Sequence, residues 1–451
     1  MTRRLLTGWG RTAPTAADVV APTDADGLAT AVAEAPARGL IGRGLGRSYG
    51  DAAQNSGGRV VDLTAVDQPL RLDPEAGTVT ASAGLSLDRL MRELVPRGWF
   101  VPVTPGTRQV TVGGAFAADI HGKNHHVDGS WCDHVDAVTI HRPADGRTVL
   151  TPRADAEGFW AAAGGMGLTG TIEQATIRLQ PIETGRLLVD TDRTADLDET
   201  LDLLASGDEH YRYSVAWLDT LAQGGRLGRG VLTRGDTAPL DALDEGDRRD
   251  PLQFESGPVA PALPWAPAGL ISRWTIRAFN ELWYRKAPRR RRDEVQSIGA
   301  FFHPLDIAEE WNRLYGRPGF LQWQTLVPFG SEDLLRHILE RMSGAGLPSF
   351  LSVLKRFGPG NEGPLSFPAP GWTLALDLPA SGAVLGPLLD ELDQEVAAVG
   401  GRVYLAKDSR LDPDLVPVMY PRLDEWRAHQ RQVDPDGLLR SDLGRRLRLV
   451  A

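Results

Sequence analysis

The hydrophobic positions follow two periods. Leu28, Ala31, Val32 and Ala35 stand at i, i+3, i+4 and i+7 behind a capping pair, Thr23 and Asp26, and ahead of Pro36, which predicts a short helix. Ser86 is placed to cap a second helix with Leu87, Leu90, Met91 and Leu94 on its buried face and Gly98 at its end. Ser331 opens a third, with Leu334, Leu335, Ile338, Leu339 and Met342 on one face. Short apolar runs at 40–41, 59–63, 78–83 and 171–177 read as strands. Three further strands alternate. In 320–326, Gln322 and Gln324 share a side; in 351–356, Lys355 sits beside Leu351 and Val353; in 372–377, Thr373, Ala375 and Asp377 face away from Trp372, Leu374 and Leu376. A lysine on the apolar side of a strand is costly unless it meets an anion or hydroxyls, so Lys355 marks a binding face. After Pro181 the elements lengthen, which predicts a second domain. The stretch from about 236 to 296, rich in Asp, Pro and Arg, shows no period and is expected to be partly mobile.

Composition narrows the classes. A chain of 451 residues, 42% apolar and 24% charged, can bury a large core in two or three domains. A net charge of −10 argues against a whole-surface nucleic-acid binder, and a single cysteine, Cys132, excludes an internal disulfide framework. The opening residues lack a signal-peptide core, and the longest apolar candidate, 259–271, contains three prolines. The expected location is therefore cytoplasmic or peripheral at the plasma membrane, with the periplasmic side left open. Only four of the 49 basic side chains are lysines: Lys123, Lys286, Lys355 and Lys407. A compact ammonium that can shift its pKa is not replaceable by arginine where chemistry needs one, so these four positions draw attention.

Glycines cluster in three loops. Gly42, Gly44, Gly46 and Gly50 follow the apolar run at 40–41, where exposed backbone N–H groups could ring an anion. The spacing is not that of a Rossmann fingerprint, and a strand follows where that fold needs a helix. Gly165, Gly167 and Gly170 do match the dinucleotide spacing, but they also precede a strand, so the match does not indicate NAD. The third cluster runs from Thr104, Pro105, Gly106 and Thr107 through Gly113 and Gly114 to His121, Gly122, Lys123, Asn124, His125 and His126. His121 and His125 at i and i+4 raise a zinc reading, but no Glu follows His121 and the preceding glycines oppose a helix, so no metal is expected.

Three glycine-rich loops, each taken to follow a strand, resemble the FAD domain of the vanillyl-alcohol-oxidase type flavoproteins. The segments Gly46-Arg47-Ser48-Tyr49-Gly50-Asp51, 121–126, 406–410 and 441–447 are similar to the branch of that family that oxidises a polyprenylphosphoryl ribose. The resemblance covers essentially the whole chain. It implies a two-domain α+β fold: 1–183 and the C-terminal return 404–451 forming the FAD domain, and 184–403 an inserted substrate domain on an antiparallel sheet, with a mobile basic loop at about 257–296. FAD would be held by Gly42, Arg43, Gly44, Leu45, Gly46, Arg47, Ser48, Tyr49, by Thr104, Pro105, Gly106, Thr107, Gly113, Gly114, Ala117, His121, Gly122, Asn124, and by Gly165, Gly167, Gly170, Ile172, Tyr404 and Lys407. Covalent members carry a histidine where Arg47 stands, so attachment is expected to be non-covalent.

The resemblance further implies oxidation of the ribose 2′-hydroxyl of decaprenylphosphoryl-β-D-ribose to the 2′-keto form, with an NADH-dependent short-chain reductase completing epimerisation to the arabinose isomer. Lys407, His121, Tyr49 and Lys355 would be catalytic. Lys407 would stabilise negative charge on the reduced flavin, and His121 or Tyr49 would assist proton removal. Lys123, Gln322, Gln324, Val353, Trp217, Phe302, Ala375 and Thr373 would join Lys355 around the sugar. Mycobacterial members carry a cysteine at the place of Ala375, where nitroaromatic inhibitors attach. The competing readings are an oxidase of a soluble sugar, alditol or lactone, and a non-catalytic flavin-binding membrane-associated protein. The cluster Arg285, Lys286 and Arg289 to Arg292, behind Trp265, Trp274, Phe279, Trp283 and Tyr284, suggests peripheral contact with anionic lipid.

Overall fold

The computed structural model describes residues 2–450 apart from 67, 208, 255–261, 268 and 382. The N-terminal part carries two sheets. One has four strands in the order Thr2–Leu6, Thr15–Val20, Arg59–Asp62, Leu40–Arg43, with the last two joints parallel. The other has five antiparallel strands, Arg71–Asp73, Thr78–Ser82, Thr171–Arg178, Val135–Arg142 and Gly146–Leu150. The predicted first helix forms at Ala25–Ala33, but Asp24 caps it, accepting from the Gly27 N–H; Thr23 lies one residue too early. Ser86 caps Leu87–Leu94, and Gly98 stops the turn that follows at φ +78°.

The second region is an eight-stranded antiparallel sheet in the order Arg290–Ser297, Arg186–Thr194, Gly230–Thr237, Tyr213–Leu218, Ser352–Phe357, Gly371–Pro379, Phe320–Pro328, Arg402–Val403. Helices Leu197–Gly207, Glu332–Gly344 and Leu385–Ala398 contribute Leu204, Leu335, Ile338, Leu389 and Leu392 to one core with Trp323, Leu354, Leu374 and Leu376 of the strands. Burying each of these large side chains stabilises the fold by about 1.5–3 kcal/mol. Because side chains alternate, the same strands must turn Gln322, Gln324, Lys355 and Ala375 to the opposite face. The result is the mixed α+β architecture of the vanillyl-alcohol-oxidase type.

Three expectations need correction. The stretch expected to be a mobile basic loop contains a helix, Arg273–Lys286, capped by Ser272, and the edge strand Arg290–Ser297; the part of that expectation at 255–261 and 268 lies outside the described residues. Of the six cations, Arg285 pairs with Glu281, Arg291 with Glu294, and Arg292 with Asp190 and Asp192, leaving Lys286, Arg289 and Arg290 without an ion pair among the described residues. The cluster of Gly165, Gly167 and Gly170 follows a helix, Ala156–Ala162, and Gly113 and Gly114 lie inside the short helix Val112–Ala117, which Thr111 caps.

The C-terminal segment returns to the N-terminal sheets. The Tyr49 N–H donates to the Ala406 carbonyl, Leu40 bridges to Leu439, and Arg446 pairs with both Asp51 and Asp408. The first glycine loop is thus pinned by residues some 400 positions away.

Candidate active site

Between the glycine loops and the bare face of the large sheet lies a cavity of about 1130 Å³. The loop wall begins where strand Leu40–Arg43 ends. Gly44 can be nothing larger, since a Cβ there would stand 2.2 Å from the Thr111 Oγ1, and Gly46 holds φ +65°, a left-handed value that glycine adopts without strain. Among the described residues, no protein acceptor takes the backbone N–H of Leu45, Gly46, Arg47 or Ser48. Four successive unpaired amides along a cavity wall form an anion nest. Thr104, Pro105, Gly106 and Thr107 continue this wall, and Gly113, Gly114, Ala117, Gly167, Gly170 and Ile172 close it. Arg43, Asn124, Gly165 and Thr373 do not reach the cavity. Arg43 ties the loop to the carbonyls of Thr7 and Ala53, Asn124 donates to Pro102, and Thr373 accepts from Gln324.

The sheet wall is built by register. Gln322 pairs across with Asp377, Gln324 with Ala375, Ala375 with Val353, and Val353 with Trp217. Lys355 and Phe302 join them, His121, Gly122 and Lys123 enter from the glycine-rich segment after Gly114, and Tyr404 and Lys407 from the C-terminal return. Three of the chain's four lysines therefore line one cavity. The Lys407 ammonium lies 3.9 Å from the centre of the Tyr49 ring. Lys123 donates to the Phe301 carbonyl and sits 4.0 Å from that ring's centre. The ammonium groups of Lys355 and Lys407 have no hydrogen-bond acceptor among the described residues.

Burial sets the proton affinities here. It lowers Lys123 to about 7 and Lys355 to about 8, with Lys355 adding to the effect on Lys123. Burial also lowers Lys407, against the pull of Asp377. His121 falls well below the imidazole range through burial, then Lys355, His125 and Lys407, so it is neutral. The Tyr49 phenol is raised by burial and next by Asp377. A primary amide nitrogen can only donate, so the 2.8 Å contact from Gln324 Nε2 makes His121 Nε2 the acceptor and leaves the proton on Nδ1, which is enclosed without a partner. His125 meets the Gly358 N–H and His126 the Tyr211 carbonyl, so the three histidines diverge.

Some participants had not been singled out from sequence. Asp377 is fully buried, accepts from Gln322 Nε2 on Oδ1, and has no partner on Oδ2 among the described residues. Its place on the polar side of an alternating strand was the available signal. Asp306, which holds Thr107 Oγ1 and the Arg108 N–H, lies two residues after Pro304 and gave none. At the cavity mouth Leu263, Phe279, Trp283, Ile307 and Phe350 replace the polar floor with apolar surface.

The family model for the FAD binding domain matches residues 16–151. The chain is 46% identical to the decaprenylphosphoryl-β-D-ribose oxidase of Mycolicibacterium smegmatis, over all of this chain and 98% of that protein. It is 42% identical to an uncharacterized protein of Streptomyces coelicolor, over 81% of this chain and all of that one. An L-gulono-1,4-lactone dehydrogenase of Mycobacterium tuberculosis is 28% identical over 44% of this chain and 45% of its own length. The unpaired amide nest, the open space beside Gly106 where a Cβ would project, and the cavity's length from loops to sheet fit FAD as the cofactor. With a cavity so built and a match running from end to end, the chain belongs to the decaprenylphosphoryl-β-D-ribose oxidase family of FAD-binding oxidoreductases.

Proposed function

We propose that this protein is an FAD-dependent oxidoreductase that converts the ribose 2′-hydroxyl of decaprenylphosphoryl-β-D-ribose to the 2′-keto form, the first half of epimerisation to the arabinose isomer for cell-wall arabinan. The observation that carries this is the facing of a backbone amide nest by a wall of buried lysines and glutamines, in a chain 46% identical over its whole length to such an oxidase. Bound FAD supplies a hydride acceptor. The amides of Leu45 to Ser48 hold its anionic part, and with Arg47 in place of histidine the attachment is non-covalent. In this reading residues 1–183 and 404–451 serve the cofactor and 184–403 the sugar.

On the sheet wall, Gln322 and Gln324 bind sugar hydroxyls, with Val353, Ala375, Trp217 and Phe302 shaping the pocket and Thr373 steadying Gln324. Proton removal falls to Lys355. Tyr49 keeps its proton, and His121 has one ring nitrogen occupied by Gln324 and the other enclosed, so both are better placed to orient than to take the proton. Lys355 has a free ammonium at the cavity and a pKa of about 8, which leaves a usable fraction of neutral amine. Lys407, whose charged form Asp377 favours against the lowering by burial, would supply positive charge to complement the negative charge that develops on the hydride acceptor. Lys123, fixed on Phe301, contributes charge for the phosphodiester.

The apolar mouth admits the polyprenyl chain. Beside it the helix Arg273–Lys286 exposes Trp274, Leu282 and Trp283, and its terminal Lys286 with Arg289 and Arg290 beyond it have no ion pair among the described residues, which suits peripheral contact with anionic lipid. No helix among the described residues is long and apolar enough to cross a membrane. An NADH-dependent short-chain reductase is the partner that would return the keto product. Anaerobic mixing of the holoenzyme with a polyprenylphosphoryl ribose should bleach the flavin absorbance, whereas unlipidated ribose should not. Absence of bleaching by the lipid-linked sugar overturns the proposal, and flotation on liposomes without dependence on anionic lipid overturns the membrane contact.

A further inference from the structure

A buried carboxylate beside Gln322, on the cavity-facing side of the sheet, has half of its hydrogen-bonding capacity unused among the described residues. Asp377 is 0% exposed; its Oδ1 accepts from Gln322 Nε2 and its Oδ2 has no partner among the described residues. Such a group is costly to keep, so its retention calls for a role. The same Gln322 nitrogen donates 3.1 Å to the Tyr49 hydroxyl oxygen. An amide nitrogen has two hydrogens, so Asp377 and Tyr49 take both. Burial raises Asp377, against the Gln322 hydrogen bond and the charge of Lys407; in its ionised form the carboxylate cannot donate, and this forbids the flipped arrangement in which the Gln322 carbonyl faces it. The carbonyl oxygen is therefore left for the cavity, and it has no acceptor or donor role within the protein among the described residues. Gln324 repeats the pattern, its nitrogen donating to Thr373 Oγ1 and His121 Nε2.

We propose that Asp377 is a positioning residue for the sugar: by taking one hydrogen of the Gln322 carboxamide, it fixes that carbonyl oxygen in the cavity as an acceptor for a pentose hydroxyl. The inference rests on the reading above that a lipid-linked ribose occupies the sheet wall. It assigns no chemistry to Asp377 itself, which is screened from the cavity by Gln322. The titratable groups whose charges act with it are Lys407 from the C-terminal return, Tyr49 from the first loop and Tyr315 from the turn Trp311–Tyr315.

The test uses flavin-loaded enzyme and farnesylphosphoryl ribose, with the dissociation constant and the limiting rate separated from the concentration dependence of anaerobic bleaching. Asp377→Leu removes the acceptor and should weaken binding about tenfold while changing the limiting rate far less. Asp377→Asn can still offer a carbonyl oxygen to Gln322 and should stay within about threefold of wild type. Unchanged binding in Asp377→Leu, or equal losses in both variants, overturns the proposal. If Asp377→Leu is recovered without flavin, pH dependence decides. Protonation of wild-type Asp377 gives it the donor that Asn also carries and allows the amide to flip, so wild-type binding should fall to the level of Asp377→Asn as pH falls through that ionisation, and this limb should vanish in Asp377→Asn; its persistence there overturns the proposal. Failure of the wild type to bleach at all overturns the substrate reading, whereas wild-type bleaching with an indifferent Asp377→Leu overturns only the role of Asp377.

Discussion

The two walls of the cavity present opposite kinds of surface. The loop wall offers main-chain hydrogens and few side chains, and its key positions are defined by what cannot be there, as at Gly44 against Thr111. The sheet wall has its backbone engaged in strand pairing and offers side chains from alternate positions: Gln322, Gln324, Lys355 and Ala375. One wall is therefore constrained by volume and the other by chemistry. Substitutions in the first should cost the cofactor, and substitutions in the second should leave the cofactor in place and cost turnover.

The largest effect should come from the loop wall. Gly44→Val forces a branched side chain into Thr111, an overpacking of about 1–3 kcal/mol or more at the cofactor's edge, and the purified protein should lack flavin by its visible-to-ultraviolet absorbance ratio. Stoichiometric flavin in that variant would break the contrast. On the sheet wall, Lys355→Arg places a cation that stays protonated where a neutral amine is needed. Flavin content should be normal and the reduction rate lower by about 10²–10³-fold. For wild type the rate should rise with pH and level off above about 8, because the competent form is the deprotonated one; the Arg variant should lose that rise. Lys407→Ala should also keep flavin and slow reduction about 10²-fold, the scale of one lost electrostatic donor. The smallest effect belongs to Ala375. Ala375→Cys should change turnover by less than about threefold, being a small substitution at the cavity surface, and wild type treated with a nitroaromatic inhibitor should show no mass shift of the intact chain.

The same contrast explains what could be read from the chain. Alternation exposed the sheet wall directly, since Gln322 and Gln324 stand two apart and Trp323 between them turns to Asp393 of the covering helix. Glycine spacing exposed the loop wall, although it did not reveal that Gly113 and Gly114 would sit in a helix or that a helix, Ala156–Ala162, would precede Gly165. The helix Arg273–Lys286 escaped because its pattern is inverted. Asn280 is fully buried against Asp219, and Glu281 is held by Arg229, while Trp274, Leu282 and Trp283 face outward. Apolar periodicity finds a helix by its buried stripe, and here much of the apolar stripe is exposed. The half-bonded state of Asp377 depends on atoms from three distant segments, which no local pattern encodes.

The pinning of the first glycine loop by the C-terminal return also bears on the order of synthesis. Residues 42–49 leave the ribosome long before Ala406, Leu439 and Arg446, which hold that loop through Tyr49, Leu40 and Asp51. Contacts so far apart in sequence close late in folding. The nascent chain carries an unfinished cradle until those partners have emerged, so flavin capture should follow the synthesis of residues 406–446 rather than that of the glycine loop itself.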